Sequence, residues 1–324
     1  MRRGVLVAAP ALALAACLYV VELPVFVVGP GPAREVVPLI DIDGRTTYQP
    51  DGRLLLTTVS VGRVNTYDAV AAWLAPTYEV FSERAIIPRG QTDSEYQRVS
   101  LSQMDASKVA AVAVALDEYT EYPREHRPGV IIQATVPGTP AHGVLFPGDL
   151  VTAVGGRRLD GLDAFIAIIE EAGPGGVLRL EVRPVEGGDS RSVRISPVVR
   201  AGRAEPIIGV QAVENFPFDV RIESGTIGGP SAGLMWALGV ADLLSPEDLT
   251  DGRSVAGTGD VLLDGQVAPI GGIGLKIVAA DRDGADLFLV PEANMAEAEE
   301  AEADIELVPV GTMKDALRFL ERES

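Results

Sequence analysis

The stretch Gly228-Gly229-Pro230-Ser231-Ala232-Gly233 places a serine directly before an apolar segment, residues 234–244. The density of apolar residues in that segment predicts a buried helix. Pro230 suits a first helical turn, because its missing N–H would have no partner there. Backbone N–H groups at a helix start are unpaired, and they can stabilise negative charge developing on a substrate oxygen. Ser231 is therefore a candidate nucleophile.

A second stretch, Pro269 to Lys276, places a lysine at the start of another apolar helix, after a glycine turn. Of the 27 basic residues only Lys108, Lys276 and Lys314 are lysines, and Lys276 alone has almost purely apolar neighbours. A desolvated amine binds its proton less tightly, so it can act as the base that a serine nucleophile needs. The alternative is a lysine that snorkels from a half-buried helix and has no chemical role.

Four blocks occur in order along this part of the chain. They are 230–233 (Pro-Ser-Ala-Gly), 258–260 (Thr-Gly-Asp), 265–267 (Gly-Gln-Val) and 269–273 (Pro-Ile-Gly-Gly-Ile) before the lysine. Together they resemble the proteolytic domain of Lon-type serine proteases, over roughly residues 201–324. Several blocks in the right order are far more specific than one short motif. The resemblance implies an α/β (α+β) Lon-type proteolytic domain.

The resemblance also implies roles for individual residues. Ser231 matches the family's nucleophile, Lys276 its general base, and Thr258 a threonine that hydrogen-bonds near the dyad. We expect Thr258 to orient Lys276. Gly228 departs from the family pattern, which often has an acidic residue there, and this puts carboxylate-dependent regulation of the dyad in doubt. Because Lon-type domains commonly form hexameric rings, the resemblance further implies a possible homo-oligomer.

The same serine also fits G-x-S-x-G, the nucleophile elbow of α/β-hydrolases. That fold needs a histidine after the serine, whereas His126 and His142 both precede it. The chain order therefore excludes the elbow. A chymotrypsin-like order stays formally open, although both histidines fall in a segment that we interpret as a separate binding domain.

Composition narrows the possible partners. The chain has a net charge of −19, which argues against nucleic-acid binding, since phosphate contacts need a basic surface. No G-x-x-x-x-G-K-[ST] phosphate loop occurs, so we expect no ATP-driven unfolding motor. No cofactor and no metal site are predicted. Substrates are expected to be flexible or unfolded proteins and peptides.

The N-terminus carries Arg2 and Arg3, followed by uncharged residues from Val5 to Val21. This length just allows a membrane-spanning helix, and the two arginines favour a cytoplasmic N-terminus. We predict a single-pass anchor at residues 1–29 in the bacterial cytoplasmic membrane, with an extracytoplasmic body. A lipoprotein signal at Cys17, the only cysteine, and a cleaved secretory signal are the alternatives.

Residues 30–123 are harder to interpret. Residues 30–38 are predicted to form a Gly/Pro linker, 54–61 a buried strand, and 68–74 a helix with Trp73 on its inner face. Residues 106–119 are predicted to form a second helix. No catalytic constellation is apparent. The strand could belong to the protease fold, with the following domain inserted into it.

Residues 124–200 change to short strands with Gly/Pro turns around one amphipathic helix, and they resemble a PDZ domain of bacterial protease-associated proteins. In such domains a peptide adds as an extra strand. The segment predicted to accept it comprises Gly129, Val130, Ile131 and Ile132. The alternative is a structural spacer with a closed groove.

These features lead to one functional expectation and one rival. The first is an ATP-independent serine endopeptidase with a Ser231/Lys276 dyad, in which the PDZ domain recruits or gates substrate. The rival is a PDZ-based adaptor or scaffold whose protease-like domain serves only for assembly.

Overall fold

The computed structural model describes residues 18–75, 77–200, 202 and 204–322. The strands are β1 (Glu22–Glu35), β2 (Ile40–Asp43), β3 (Arg53–Asn65), β4 (Glu79–Ser82), β5 (Arg127–Thr135), β6 (Asp149–Val154), β7 (Arg157–Arg158), β8 (Leu178–Pro184), β9 (Arg191–Ile195), β10 (Val210–Asn215), β11 (Asp219–Ile222), β12 (Ser254–Gly257), β13 (Asp260–Val261), β14 (Val267–Ala268), β15 (Leu287–Pro291) and β16 (Glu306–Val310). The helices are α1 (Thr66–Leu74), α2 (Glu83–Ile86), α3 (Asp93–Tyr119), α4 (Leu162–Ala172), α5 (Gly233–Leu244), α6 (Ile273–Arg282), α7 (Met295–Ala298) and α8 (Met313–Arg322).

The larger sheet has the strand order β16-β15-β12-β3-β1-β4. Strands β16, β15, β12 and β3 are parallel, whereas β1 pairs antiparallel with both β3 and β4. The parallel part is covered on both faces. Leu54 and Leu56 of β3 join the core that contains α5, while Leu55 joins the core that contains α6. A strand buried on both faces has a continuous apolar sequence, which explains the three consecutive leucines.

The smaller sheet has the order β10-β5-β6-β8-β9, with β7 paired to β6, and every pairing is antiparallel. Helix α4 supplies Phe165 and Ile169 to its core. This unit lies in the sequence between β3 and β12, which are adjacent in the larger sheet. The chain therefore leaves that sheet after its first part, forms the smaller sheet, and returns.

Strand β10 corrects one predicted boundary. The family resemblance predicts the proteolytic domain at roughly residues 201–324, yet residues 210–215 pair with β5 of the smaller sheet. The smaller sheet therefore extends past residue 200. An alternating strand pattern shows which face of a strand is apolar, but it does not show which neighbour the strand pairs with.

The predicted end of the membrane anchor at residue 29 is also wrong. Residues Glu22–Glu35 form β1 and pair with β3, so the linker predicted for residues 30–38 is largely strand as well. The register shifts between Pro30 and Ala33, which is how a strand accommodates proline. Residues 1–17, with Cys17 and most of the predicted anchor, lie outside the described residues.

Helix α3 is the one helix of the described residues that is long and apolar enough to cross a bilayer. Half of its most apolar 18-residue stretch, however, is buried in the protein. It packs against α5 and contributes Met104, Val112 and Leu116 to the core. Its start is fixed by a capping box between Thr92 and Glu95. These contacts are those of a core helix.

Candidate active site

The site lies where the parallel part of the larger sheet ends. The last paired residues of β3 and β12 are Leu56 and Gly257, which lie opposite each other. Thr57 and Thr258 follow them directly. The carboxyl ends of parallel strands are where open α/β sheets usually place ligands, because loops and helix ends converge there. Residues from two chain regions about 200 positions apart thus meet at one edge.

Ser231 reaches this edge on the loop that leads into α5. Its backbone carbonyl accepts two hydrogen bonds of 2.8 Å, one from the Thr258 hydroxyl and one from the Gly259 N–H. On the other side of the loop, the Ser107 hydroxyl of α3 donates to the Pro230 carbonyl at 2.8 Å. The loop is therefore held from both sides, and the serine hydroxyl keeps a defined position.

The loop needs two of its glycines for steric reasons. A side chain at Gly228 would collide with Ser100 of α3, whose carbonyl accepts from the Gly229 N–H at 2.8 Å. This accounts for the departure noted at Gly228, where an acidic side chain would find no room. At Gly233 a Cβ would lie 2.8 Å from the Val261 nitrogen, so only glycine lets α5 approach the β13–β14 hairpin this closely.

Lys276 lies on the first turns of α6, which begins after Gly272 in a left-handed conformation (φ 70°). Its Nζ is 3.1 Å from the Ser231 Oγ and 2.8 Å from the Thr57 carbonyl oxygen. Only 3% of the residue is exposed. Burial lowers the pKa of the Lys276 amine from 10.5 to about 8. A substantial fraction of the amine is therefore neutral near pH 8, and the neutral amine can accept a proton from the serine hydroxyl.

Thr258 is fully buried, but its hydroxyl makes no hydrogen bond to Lys276, the role predicted for it. Its hydroxyl donates to the Ser231 backbone instead. The lysine amine is oriented by the carbonyl of Thr57, a contact that the sequence does not predict. The reason is that this contact uses a backbone atom, and any residue type at position 57 would supply it. Ser107 was missed for a similar reason, since a serine within a helix gives no sign of what it binds.

A cleft of about 840 Å³ opens over the two side chains. One wall is β3 at residues 57–61, which continues past the end of β12, and among the described residues no strand pairs with β3 on that side. The opposite wall comes from α3 and the loop 226–232. Asp260 also lines the cleft, and burial raises the pKa of its carboxyl to about 6. An extended peptide is the ligand shape that an exposed strand edge accepts.

The two histidines lie elsewhere. His126 contacts the Arg127 carbonyl at 3.1 Å, and His142 lies beside Thr135; neither lines the cleft. A chymotrypsin-like arrangement with either histidine is therefore excluded by position. Within residues 18–75, 77–200, 202 and 204–322, no three His, Cys, Asp or Glu side chains are grouped so that they could hold a metal ion.

The predicted peptide-binding segment of the smaller sheet is wrong. Val130, Ile131 and Ile132 are fully buried, Gly129 is buried, and their strand β5 lies between β10 and β6. A strand with neighbours on both sides offers no edge to a peptide. The Gly-Val-Ile-Ile sequence is equally typical of a central strand, so composition alone misassigned it.

A groove of about 890 Å³ does lie at the edge of this sheet, between α4 and β10. Its walls include Phe165, Ile166 and Ile169 from the helix and Ile208 and Val210 from the strand side. Within the described residues β10 pairs only with β5, so its outer edge is open. Apolar side chains beside an unpaired strand edge suit an added peptide strand.

A known protein family matches the C-terminal part of the chain. Residues 189–320 match the family model of the Lon protease (S16) C-terminal proteolytic domain. A Lon protease 1 from Herpetosiphon aurantiacus is 42% identical over 94 residues, which is 28% of this chain and 11% of the relative. A Lon protease 2 from Sorangium cellulosum is 27% identical over 303 residues, or 89% of this chain and 36% of the relative.

The chain thus spans only about a tenth to a third of the length of these relatives. Among solved structures, the PDZ domain of an SdrC-like protein from Listeria monocytogenes is 25% identical, with a TM-score of 0.24, and covers 26% of this chain and 87% of its own. The resemblance to Lon-type proteolytic domains stated from the sequence is confirmed, and the match supports a serine-type peptidase.

Proposed function

We propose that the chain is a membrane-anchored serine endopeptidase that cuts flexible or unfolded protein segments without ATP. The observation that carries the proposal is the 3.1 Å contact between the Ser231 hydroxyl and a buried lysine amine whose pKa is lowered to about 8. A serine hydroxyl is a weak nucleophile until a neighbouring base takes its proton. Lys276 is placed to do this and is neutral enough to do it near pH 8.

In the proposed reaction, the Ser231 Oγ attacks the scissile carbonyl carbon while its proton moves to the Lys276 Nζ. The tetrahedral intermediate collapses when the C–N bond breaks, and Lys276 returns the proton to the leaving amine. An ester to Ser231 remains. Water then attacks the ester with Lys276 again as the base, which releases the acid product and the free serine.

The oxyanion donors follow by elimination. Pro230 has no N–H. The N–H groups of Gly229 and Gly233 already donate to the carbonyls of Ser100 and Pro230. The N–H groups of Ser231 and Ala232, at the start of α5, are therefore the donors that we propose. A helix N-terminus adds a favourable partial positive charge at that point.

Substrate is proposed to enter the cleft as an extended segment beside residues 57–61 of β3. The groove between α4 and β10, in place of the β5 segment, is proposed to recruit protein substrates by the same strand-addition chemistry. The anchor at the N-terminus, with the body outside the bacterial cytoplasmic membrane, remains a proposal that rests on the sequence. A hexameric ring remains a proposal that rests on the family resemblance alone.

Covalent labelling tests the nucleophile. A fluorophosphonate probe should add one label per chain by intact mass, and Ser231→Ala should take none. Ser60, a second serine on the wall of the same cleft, provides the matched control, and Ser60→Ala should label like the wild type. Absence of labelling in a folded wild-type protein would instead favour the adaptor, in which the protease-like domain serves only for assembly.

The recruitment of protein substrates by the groove between α4 and β10 is tested separately, by introducing a charged side chain into that groove. Ile166 is 45% exposed on the groove wall, whereas Ala167 is exposed beside it and does not line the groove. We expect Ile166→Glu to slow cleavage of a protein substrate about tenfold and to spare a short peptide substrate. Ala167→Glu should change neither rate. Equal losses on both substrates in Ile166→Glu would contradict recruitment by this groove.

A further inference from the structure

Helix α1 presents its apolar side chains outward. Tyr67, Val70, Trp73 and Leu74 are each about half exposed or more, with Trp73 at 76%, and Ala72 is the buried residue of the helix. An ordinary surface helix turns its apolar stripe toward the core. The prediction that Trp73 faces the core is therefore wrong, and the helix needs another explanation for its composition.

A second exposed apolar segment lies at the same end of the sheet. Residues 19–21 (Tyr-Val-Val) are each half exposed or more and lead directly into β1. The first residue of β1, Glu22, pairs with Asn65, which is the N-cap of α1. We call residues 19–21 together with the outward side of α1 the N-terminal apolar surface. The run Val5 to Val21 ends on this surface.

The charge distribution shows what kind of partner fits. The chain is 23% charged with a net charge of −19, yet residues 66–78 contain one charged residue, Asp68, among thirteen. Arg63 nearby is already paired with Glu83 and Asp93. The exposed carboxylate of Asp68 is therefore the one charge that the helix offers to a polar partner, and the exposed Glu22 borders residues 19–21. Exposed Trp and Tyr beside aliphatic residues are typical of the membrane–water interface, where amphipathic rings are favoured.

We propose that the N-terminal apolar surface lies in the interfacial region of the bilayer that the preceding apolar run enters. The body is then held against the membrane in one orientation, and it does not swing on a flexible tether. This inference rests on the proposed membrane anchor. A lipid surface is favoured over a second copy of this chain because the surface is continuous with the predicted membrane segment.

The orientation has a geometric consequence. Strand β3 runs from Asn65, beside α1, to Thr57 at the active site, which is eight residues. At about 3.3 Å per residue in a strand, the Thr57 carbonyl that contacts the Lys276 amine lies no more than ~26 Å along the strand from Asn65, the N-cap of α1. The proposed substrates are then protein segments that reach this height above the bilayer.

The two tryptophans make the inference testable. Trp73 is exposed, while Trp236 is fully buried and its Nε1–H donates to the Met104 sulfur at 3.4 Å. The full chain is reconstituted in phosphatidylcholine vesicles with or without bromine on the acyl chains. The emission of Trp73 is obtained as the difference between the wild type and Trp73→Phe. We expect it to be at least halved by the brominated lipid and protected from aqueous acrylamide.

The Trp236 emission that remains in Trp73→Phe should be unchanged by the brominated lipid. A matched control places a new tryptophan at Val177, which is 68% exposed on the smaller unit, in the Trp73→Phe background. Its emission should stay quenchable by acrylamide and insensitive to the brominated lipid.

Flotation of the vesicles separates the possible failures. A chain that does not float with the vesicles overturns the anchor and this inference with it. A chain that floats while Trp73 stays open to acrylamide overturns only the inference. A floating chain in which Trp73 is protected from acrylamide but not quenched by bromine also overturns it, because another protein surface then covers the helix.

Discussion

Two lysines of this chain are largely withdrawn from water, and their surroundings differ in one respect. Lys108 on α3 lies 2.9 Å from Asp105 and 3.2 Å from Glu186, and these carboxylates outweigh burial and raise its pKa. Lys276 has a carbonyl and a hydroxyl beside it, and burial alone lowers its pKa to about 8. Burial therefore lowers the pKa of a lysine, and so allows its amine to act as a base, only where no carboxylate lies beside the amine.

The largest expected difference between the two lysines is the loss of activity when each is replaced by arginine. A guanidinium keeps its proton at any pH of interest. Lys276→Arg should therefore lose at least about a thousandfold in kcat/KM, within the range for loss of a general base. Lys108→Arg can still pair with both carboxylates and should stay within about threefold of the wild type. The measurement is cleavage of a short fluorogenic peptide, with circular dichroism as the control for folding. Retained activity in Lys276→Arg would show that Lys276 is not the base and has only a structural role.

The contributions of the two lysines to the free energy of unfolding should change in opposite directions as the pH rises. The folded-state pKa of Lys276 is below its unfolded value, so the wild type gains stability as pH rises from about 8 to 10.5. The gain is at most about 3 kcal/mol relative to Lys276→Met, which lacks the titrating group. The pKa of Lys108 is raised, so its contribution is present below 10.5 and is lost at higher pH.

Urea unfolding of the wild type, Lys276→Met and Lys108→Met at pH 7, 9 and 10.5 measures these differences. The free-energy gap between the wild type and Lys276→Met should move in favour of the wild type with pH. The gap for Lys108→Met should be flat over pH 7–9. Parallel behaviour of the two variants would mean that their environments do not differ as described.

The pH dependence of catalysis sharpens the comparison further. In the proposed mechanism the neutral amine of Lys276 is the active form, so kcat/KM should rise with pH through about 8 and then level off. Between pH 6.5 and pH 9 the neutral fraction grows about thirtyfold for a pKa of 8. Lys108→Met should leave the inflection in place. Asp260 titrates near pH 6, so its effect would appear separately. A profile that is flat from pH 7 to pH 9 would exclude a lysine base.

The smallest expected effect separates two roles for Thr258. Thr258→Val removes the hydrogen bond to the Ser231 carbonyl and should lower kcat by about tenfold, in line with the loss of one buried hydrogen bond. Because the hydroxyl donates to the Ser231 carbonyl and not to Lys276, the inflection of the pH profile should not move. A shifted inflection would favour the role first predicted from the sequence, in which Thr258 orients the lysine.

The sequence allowed the mixed α/β class and the two candidate residues to be predicted because each depends on local pattern. A serine before an apolar helix and a lysine among apolar neighbours are visible within ten residues. The structure then brings the side chains of Ser231 and Lys276 within 3.1 Å. Their catalytic roles stay predictions until the labelling and pH experiments are done.

The features that could not be predicted depend on which segments become neighbours. The sequence of β5 does not reveal that β10 covers its edge, so Gly129 to Ile132 looked available to a peptide. The apolar residues of α1 looked like core because periodicity shows a face and not what covers it. The role of the Thr57 carbonyl cannot be predicted for the same reason, since it comes from a contact with Lys276, which is 219 residues away in the sequence.

The pairing of β3 with β12 also determines when the proposed peptidase could begin to act. Chains are made from the N-terminus, and contacts between distant segments form late in folding. Strand β3 has no parallel neighbour until residues 254–257 exist, and the proposed base of Ser231 is missing until residue 276 of 324 has been added. We expect the growing chain to be unable to cut peptides through most of its synthesis. Its own unfolded segments are thereby protected during the period when they are most exposed.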